Sequence, residues 1–146
     1  MAADRRASVT WNGDLMSGSG TIDEVGSGAF GPLDVSWAAR SEEASGGKTS
    51  PEELIAAAHA ACFSMALAGV LAQEGHPPTK LETDAVCTLG QTDAGYRITT
   101  MQLTVRGEVE GIGEDEFESA AKQAVKGCPV SNALTGVEIS MEASLA

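Results

Sequence analysis

The sequence predicts an α+β fold with mostly antiparallel sheet, and three observations carry that prediction. Residues 54–72 form a long stretch without formal charge, too long for a strand and bounded by helix start and stop signals. The segments on either side of it alternate apolar and polar residues with the period of two that marks half-buried strands. Near the C-terminus, Phe117, Ala120, Ala121, Ala124 and Val125 recur at helical spacing, which adds a second, amphipathic helix. The predicted order is three strands, a long helix, two strands, a helix with a short helical extension, and a final strand.

The first strand is read from Ala7, Val9 and Trp11 alternating with Ser8 and Thr10, and Asn12-Gly13 is a strong hairpin signal. A second strand follows through Thr21–Val25. Gly26, Gly28 and Gly31-Pro32 mark a loop. Leu33, Val35 and Trp37 then alternate with Asp34, Ser36 and Ala38, a third strand that places Arg40 near its exit. Ser41–Lys48 is a polar loop leading into the long helix.

That helix is expected from Pro51 to Glu74, about 36 Å at the rise of an α-helix. Ser50 can cap it, Pro51 suits its first position, and Glu53, three residues after Ser50, completes a capping box. Gly75 stops it, and Pro77 and Pro78 forbid continuation. Within the uncharged stretch the polar exceptions are His59 and Ser64. A helix apolar all round must be covered all round. Its length reaches that of a membrane span, but it is rich in Ala, is bordered by Glu52, Glu53 and Glu74, and has neither an aromatic belt nor a basic flank. A central core helix is therefore expected, with a second copy of the chain as its natural cover.

After the helix, Leu81, Thr83, Ala85, Cys87 and Leu89 share one strand face, Thr92–Gly95 turns the chain, and a long strand runs from Tyr96 to Glu110 with Met101, Leu103, Val105 and Val109 inward. Gly107 invites a bulge in it. The second helix spans Glu114–Lys126, with acids in its first turn, Lys122 and Lys126 near its end, and Gly127 as its stop. Val137, Ile139 and Met141 share one face of the last strand, with Glu138, Ser140 and Glu142 on the other.

Composition narrows the function. The 146 residues suit one domain, 1–146. With 9 Lys and Arg against 21 Asp and Glu, the net charge is −12, which disfavours nucleic acid and anionic membranes as partners. The opening MAADRRASVTW has no apolar core of a secretion signal. Three scattered cysteines do not resemble a secreted disulfide framework. A soluble protein of a reducing compartment, the cytoplasm, is expected.

The cysteines are the candidates for chemistry. Cys62 lies in the apolar helix, where an inert core thiol and a reactive one are both open readings. His59, three residues earlier, shares a face with it and could activate it, or could be a satisfied core histidine. Cys128 precedes Pro129, which puts it at the N-cap of a short helix. A thiol there faces the positive helix end and its pKa should fall, unless the residue merely turns the chain. Cys87 reads as structural. Cys62, Cys87, Cys128, His59 and His76 lack the paired spacings of a zinc site, so no metal is expected. No phosphate-binding glycine loop or serine nucleophile elbow is present.

The segments TSPEELIAAAHAACFSMAL and KGCPVSNAL, with the WNGDL opening and the strand ending in Arg40, resemble the OsmC/Ohr family of peroxiredoxin-like organic hydroperoxide reductases. The likeness covers essentially the whole chain and is strongest to the OsmC branch around Cys62. Ser50 stands where the family usually has Asn, Ser41 where an aromatic is expected, and Cys87 is extra to the pattern. The resemblance implies an OsmC-like fold in an intertwined homodimer, and a thiol peroxidase without metal, haem or flavin, active in oxidative and osmotic stress defence. It makes Cys62 the peroxidatic cysteine, Cys128 the resolving one, Arg40 the active-site arginine and Glu52 its carboxylate partner. It also implies a hydroperoxide substrate and an external dithiol reductant, of lipoyl type or a lipoylated protein. Glu52 and Cys62 lie ten residues apart on one helix, about 15 Å along its axis, so a site containing both is expected to be shared between two chains. A non-catalytic binder of hydrophobic ligands and a thiol redox sensor are the alternatives of other classes.

Overall fold

The computed structural model describes residues 2–146, and the chain divides into two compact units, Met1–Leu54 and Ile55–Ala146. The first unit holds a three-stranded sheet of order β1-β2-β3, made by β1 (Ala7–Asn12), β2 (Ser19–Val25) and β3 (Leu33–Val35), antiparallel throughout. The Asn12-Gly13 signal marks the first hairpin, but its loop runs on to Gly18. Gly13 takes a φ of +90°, which glycine adopts without steric cost. Asp14 then accepts from the backbone N–H groups of Met16 and Ser17 and from the Ser17 hydroxyl. Trp11 lies over Gly20, where a Cβ would come within 2.6 Å of its ring.

The third strand is shorter than its alternation suggests. It ends at Val35, and Trp37–Ser41 form a short helix, α1, that carries Arg40. Ser36 decides this, because its Oγ accepts from the Ala39 N–H at 3.1 Å and so caps the turn. Arg40 therefore sits on a helical turn and not at a strand exit.

The long helix, α2, spans Pro51–Gln73. Ser50 caps it through the Glu53 N–H at 3.1 Å, but the capping box is only half made. The Glu53 carboxylate accepts from the Thr49 hydroxyl at 2.6 Å instead of returning to Ser50. At the other end Gly75 has a φ of +87°, and the His76 N–H returns to the Leu71 carbonyl.

The second unit is built on the sheet β4-β5-β6, from β4 (Lys80–Thr92), β5 (Gly95–Glu108) and β6 (Glu138–Leu145). β4 and β5 are antiparallel, with their irregularity at Thr88/Leu89, not at Gly107. β6 runs parallel to β5, because α3 (Glu114–Gly127) and α4 (Pro129–Ala133) carry the chain back between them. Gly107 is needed for close approach and not for a bulge. A Cβ there would stand 2.5 Å from Phe117 Cζ. The core of this unit joins Phe63, Leu67 and Leu71 of α2 to Leu103 and Val105 of β5, to Phe117, Ala120, Ala121 and Ala124 of α3, and to the fully buried Cys128.

Candidate active site

In the first unit, α1 and the start of α2 bring Arg40 to Glu52. Arg40 Nε donates to Oε1 and Oε2 at 3.0 and 3.1 Å, and a terminal guanidinium nitrogen donates to Oε1 at 2.8 Å. This planar, multiply bonded pairing is one that only arginine can make. The Glu52 side chain is 8% exposed and that of Arg40 34%, so the carboxylate is fixed inside while the guanidinium still reaches the surface. The guanidinium carbon of Arg40 lies over the Trp37 ring, 5.9 Å from its centroid, within cation–π range. Beside the pair is a recess of about 250 Å³ lined by Trp11, Leu15, Val35, Trp37 and Arg40.

In the second unit, α2 carries Cys62 to Cys128; both are free thiols, close enough to influence each other's ionisation. Cys128 is the N-cap residue of α4, with Pro129 at the first helical position, as its sequence context predicts. Burial pushes the Cys62 thiol up. The Val130 N–H opposes that rise, and neighbouring Cys128 adds to it. Burial also works against a charged Cys128, but the Ser131 hydroxyl, the Ser131 N–H, the Cys62 thiol and the Val130 N–H outweigh it, and its pKa falls below the ordinary thiol range.

His59 does not act on Cys62 directly. It is fully buried, and its Nε2 lies 2.7 Å from Ser131 Oγ. Burial lowers its pKa, so the ring is neutral. Ser64, the other polar exception of the apolar stretch, donates to the Ala60 carbonyl or shares a 2.7 Å bond with Thr83. Cys87 lies half-buried on β4 opposite Met101. Among the described residues no cluster of metal-ligating side chains forms. Ser131 is the residue that sequence reasoning missed. Its signal was its place three residues after an N-cap cysteine, where a side chain points back toward the cap.

Residues 44–142 match the family of OsmC-like proteins, and the whole chain aligns with peroxiredoxin OsmC of Escherichia coli strain K12, 39% identical over 145 residues and 99% of each chain. The protein belongs to the OsmC/Ohr family. Another member with which it aligns is the organic hydroperoxide resistance protein OhrA of Bacillus subtilis strain 168, 35% identical over 99 residues, covering 64% of this chain and 66% of that one. Among solved structures, an organic hydroperoxide resistance protein OsmC from Legionella pneumophila matches with a TM-score of 0.72 at 25% identity, covering 95% of this chain and 96% of that chain. This OsmC/Ohr chain thus has the α+β architecture of its family: two small sheets, a long cysteine-bearing helix and a second helix.

Proposed function

We propose that this OsmC/Ohr protein is a cysteine-based peroxidase that reduces organic hydroperoxides to alcohols in oxidative stress defence. The observation that carries the reading is the paired free thiols Cys62 and Cys128, set in one unit, with the Cys62 pKa pushed up by burial and that of Cys128 brought down by its hydrogen-bond donors. In the first step the Cys62 thiolate attacks the outer peroxide oxygen, the O–O bond breaks, and the alkoxide leaves and is protonated to the alcohol. Cys62 is then a sulfenic acid. In the second step the Cys128 thiolate attacks that sulfur and expels hydroxide, which a proton turns into water, leaving a Cys62–Cys128 disulfide. An external dithiol restores both thiols by two exchanges and is itself oxidised to a disulfide.

Arg40, held by Glu52, is assigned the cation that favours the Cys62 thiolate and meets the charge developing on the leaving oxygen. The apolar recess beside Arg40 suits the alkyl or aryl part of an organic hydroperoxide. A lipoyl-type dithiol or lipoylated protein is the proposed reductant and the cytoplasm the proposed compartment, in keeping with cysteines used as thiols. Osmotic stress response is carried over with the OsmC branch.

A homodimer is proposed as the working form. Met65 is 72% exposed, and Ala58, Ala61 and Gly69 are exposed with it on α2, an apolar surface that a second chain would cover. α2 is long and apolar enough to cross a membrane. Its acidic borders and missing aromatic belt support a protein partner instead, and the net charge of −12 argues against a nucleic acid.

The test is a panel of alkyl, lipid and hydrogen peroxides with a small dithiol as reductant. Repeated turnovers with organic peroxides, absent in Cys62→Ser, are expected. No consumption of any peroxide with any dithiol would overturn the reading.

A further inference from the structure

Of the two polar side chains that interrupt the apolar stretch of α2, Ser64 is accounted for by its bonds to Ala60 and Thr83. His59 is not accounted for by packing. Its ring is 0% exposed, Nε2 lies 2.7 Å from Ser131 Oγ, and Nδ1 has no partner among the described residues. A buried imidazole with an unsatisfied nitrogen is costly, and an apolar residue of similar size would avoid that cost. The single bond that it does make ends on the residue whose hydroxyl bonds the Cys128 sulfur. His59, Ser131 and Cys128 thus form a chain of three groups inside one unit.

We propose that His59 and Ser131 are positioning residues for the resolving thiol: His59 Nε2–H donates to Ser131 Oγ, and the Ser131 hydroxyl is thereby turned to donate to Cys128 Sγ. The role as resolving residue rests on the peroxidase reading; the direction of the hydrogen bonds does not.

The direction follows from counting protons. A neutral imidazole has one N–H. If Nδ1 held it, a buried N–H would have no acceptor, which is the rarest of backbone or side-chain defects. Nε2 would then take the Ser131 hydroxyl proton, and Cys128 would face only serine lone pairs, which disfavour a thiolate. With the proton on Nε2, the bare nitrogen is Nδ1, and the one hydroxyl proton of Ser131 is left for the sulfur. A bond from a hydroxyl to a thiolate is charge-assisted and among the stronger kinds. Against burial, the Ser131 hydroxyl is the strongest influence lowering the Cys128 pKa. The titratable group that faces Cys128 beside this chain is Cys62. The consequence for the reaction is that a larger share of Cys128 is thiolate when the sulfenic acid forms than an ordinary thiol would supply, which favours the second step.

The experiment uses the full chain in the Cys62→Ser background, reduced, labelled with [13Cβ]cysteine and [15N]histidine. The Cys128 resonance, identified by its loss in Cys128→Ser, is followed against pH by NMR, which reads a buried thiol without any reagent reaching it. In Ser131→Ala the midpoint should rise by about one pH unit or more, the size expected for losing a charge-assisted bond. Ser131→Thr and His59→Gln, which keep the hydroxyl and the N–H donor, should retain most of the depression, and His59→Leu should lose it. The 15N shifts of His59 should show the proton on Nε2. A proton on Nδ1, or a Cys128 midpoint unmoved in Ser131→Ala, overturns the proposal. Should Ser131→Ala not fold, the His59 shifts of the Cys62→Ser protein decide alone. No peroxide enters this measurement, so a failed peroxidase reading would show separately, as an unaltered protein that consumes none.

Discussion

Cys62 lies mid-helix where burial pushes its thiol up, Cys128 lies at a helix start where hydroxyl and N–H donors bring its thiol down, and Cys87 lies on a strand opposite Met101. Three cysteines in three settings should respond differently to replacement by serine. Cys62→Ser should abolish peroxide consumption. Cys87→Ser should leave it nearly intact, and Cys128→Ser should stop after one turnover with a sulfenic or overoxidised Cys62 that mass spectrometry detects. Equal losses in folded Cys62→Ser and Cys87→Ser would refute the assignment. The second residue-scale prediction concerns the charge that Cys62 needs. Because burial, and then Cys128, raise its pKa, the arginine must do more than it would for an already acidic thiol. Arg40→Met should move the pH profile of Cys62 alkylation upward and slow the peroxide step. Arg40→Lys should rescue only in part, since an ammonium lacks the planar fork that holds a carboxylate and a second contact at once. An unchanged profile in Arg40→Met would place the activating charge elsewhere.

Gly107 and His59 show what the elements of the second unit demand. A Cβ on Gly107 would meet Phe117 Cζ at 2.5 Å, Cε2 at 2.7 Å and Leu81 Cδ2 at 3.2 Å, so β5 and α3 pack together only because that position is bare. Gly107→Ala should destabilise the protein by about 1–3 kcal/mol, the usual cost of overpacking a tight core, read as a lower midpoint in urea at unchanged slope. His59 adds a pH dependence. Its folded pKa is lowered from 6.5 by burial, so below 6.5 the unfolded chain binds a proton that the folded one refuses. Its contribution to stability is present above that pH and is lost as pH falls through the folded value. His59→Gln should flatten this part of the stability–pH curve, and an unaltered slope would mean that the ring titrates freely. The helices, the strand faces and the cysteine motifs were legible because periodicity and caps are local signals. α1 was not, since Leu33, Val35 and Trp37 keep strand alternation while the Ser36 cap breaks the strand beneath it. Alternation likewise does not carry direction, so the parallel pairing of β6 with β5 was visible only in the helix between them. Of the candidate site, the thiols and the Arg40–Glu52 pair were legible from motif and resemblance, whereas the spacing of Ser131 from Cys128 can point its side chain toward the cap but does not encode its tertiary partner His59, 72 residues away.

At the scale of the whole molecule, assembly is what the proposed chemistry depends on. α2 is continuous from Pro51 to Gln73, so Glu52 and Cys62 are separated by ten residues of regular helix, about 15 Å along the axis. A glutamate side chain does not span that distance, and Arg40 is bonded to Glu52. If the arginine–carboxylate pair and the peroxidatic thiol serve one reaction, as the family resemblance assigns, they must be contributed by different chains. Two α2 helices would then cross so that the start of each approaches the middle of the other, which a two-fold axis does twice over and with two equivalent sites. The same crossing would cover the apolar surface around Met65, 72% exposed in the single chain. Subunit mixing distinguishes this from a site made within one chain. Glu52→Gln and Cys62→Ser should each be inactive as homodimers, because each lacks one part of both sites. After exchange, a mixed dimer contains one site with both substitutions and one with neither, so activity should return, up to about half the wild-type value per mixed dimer. If the site were made within one chain, every site in every mixture would carry one lesion and nothing would return. Sedimentation velocity fixes the assembly state, and mass spectrometry of tagged subunits proves the exchange. Mixed dimers that remain inactive after proven exchange, or an active protein that sediments as a monomer, would refute the shared site.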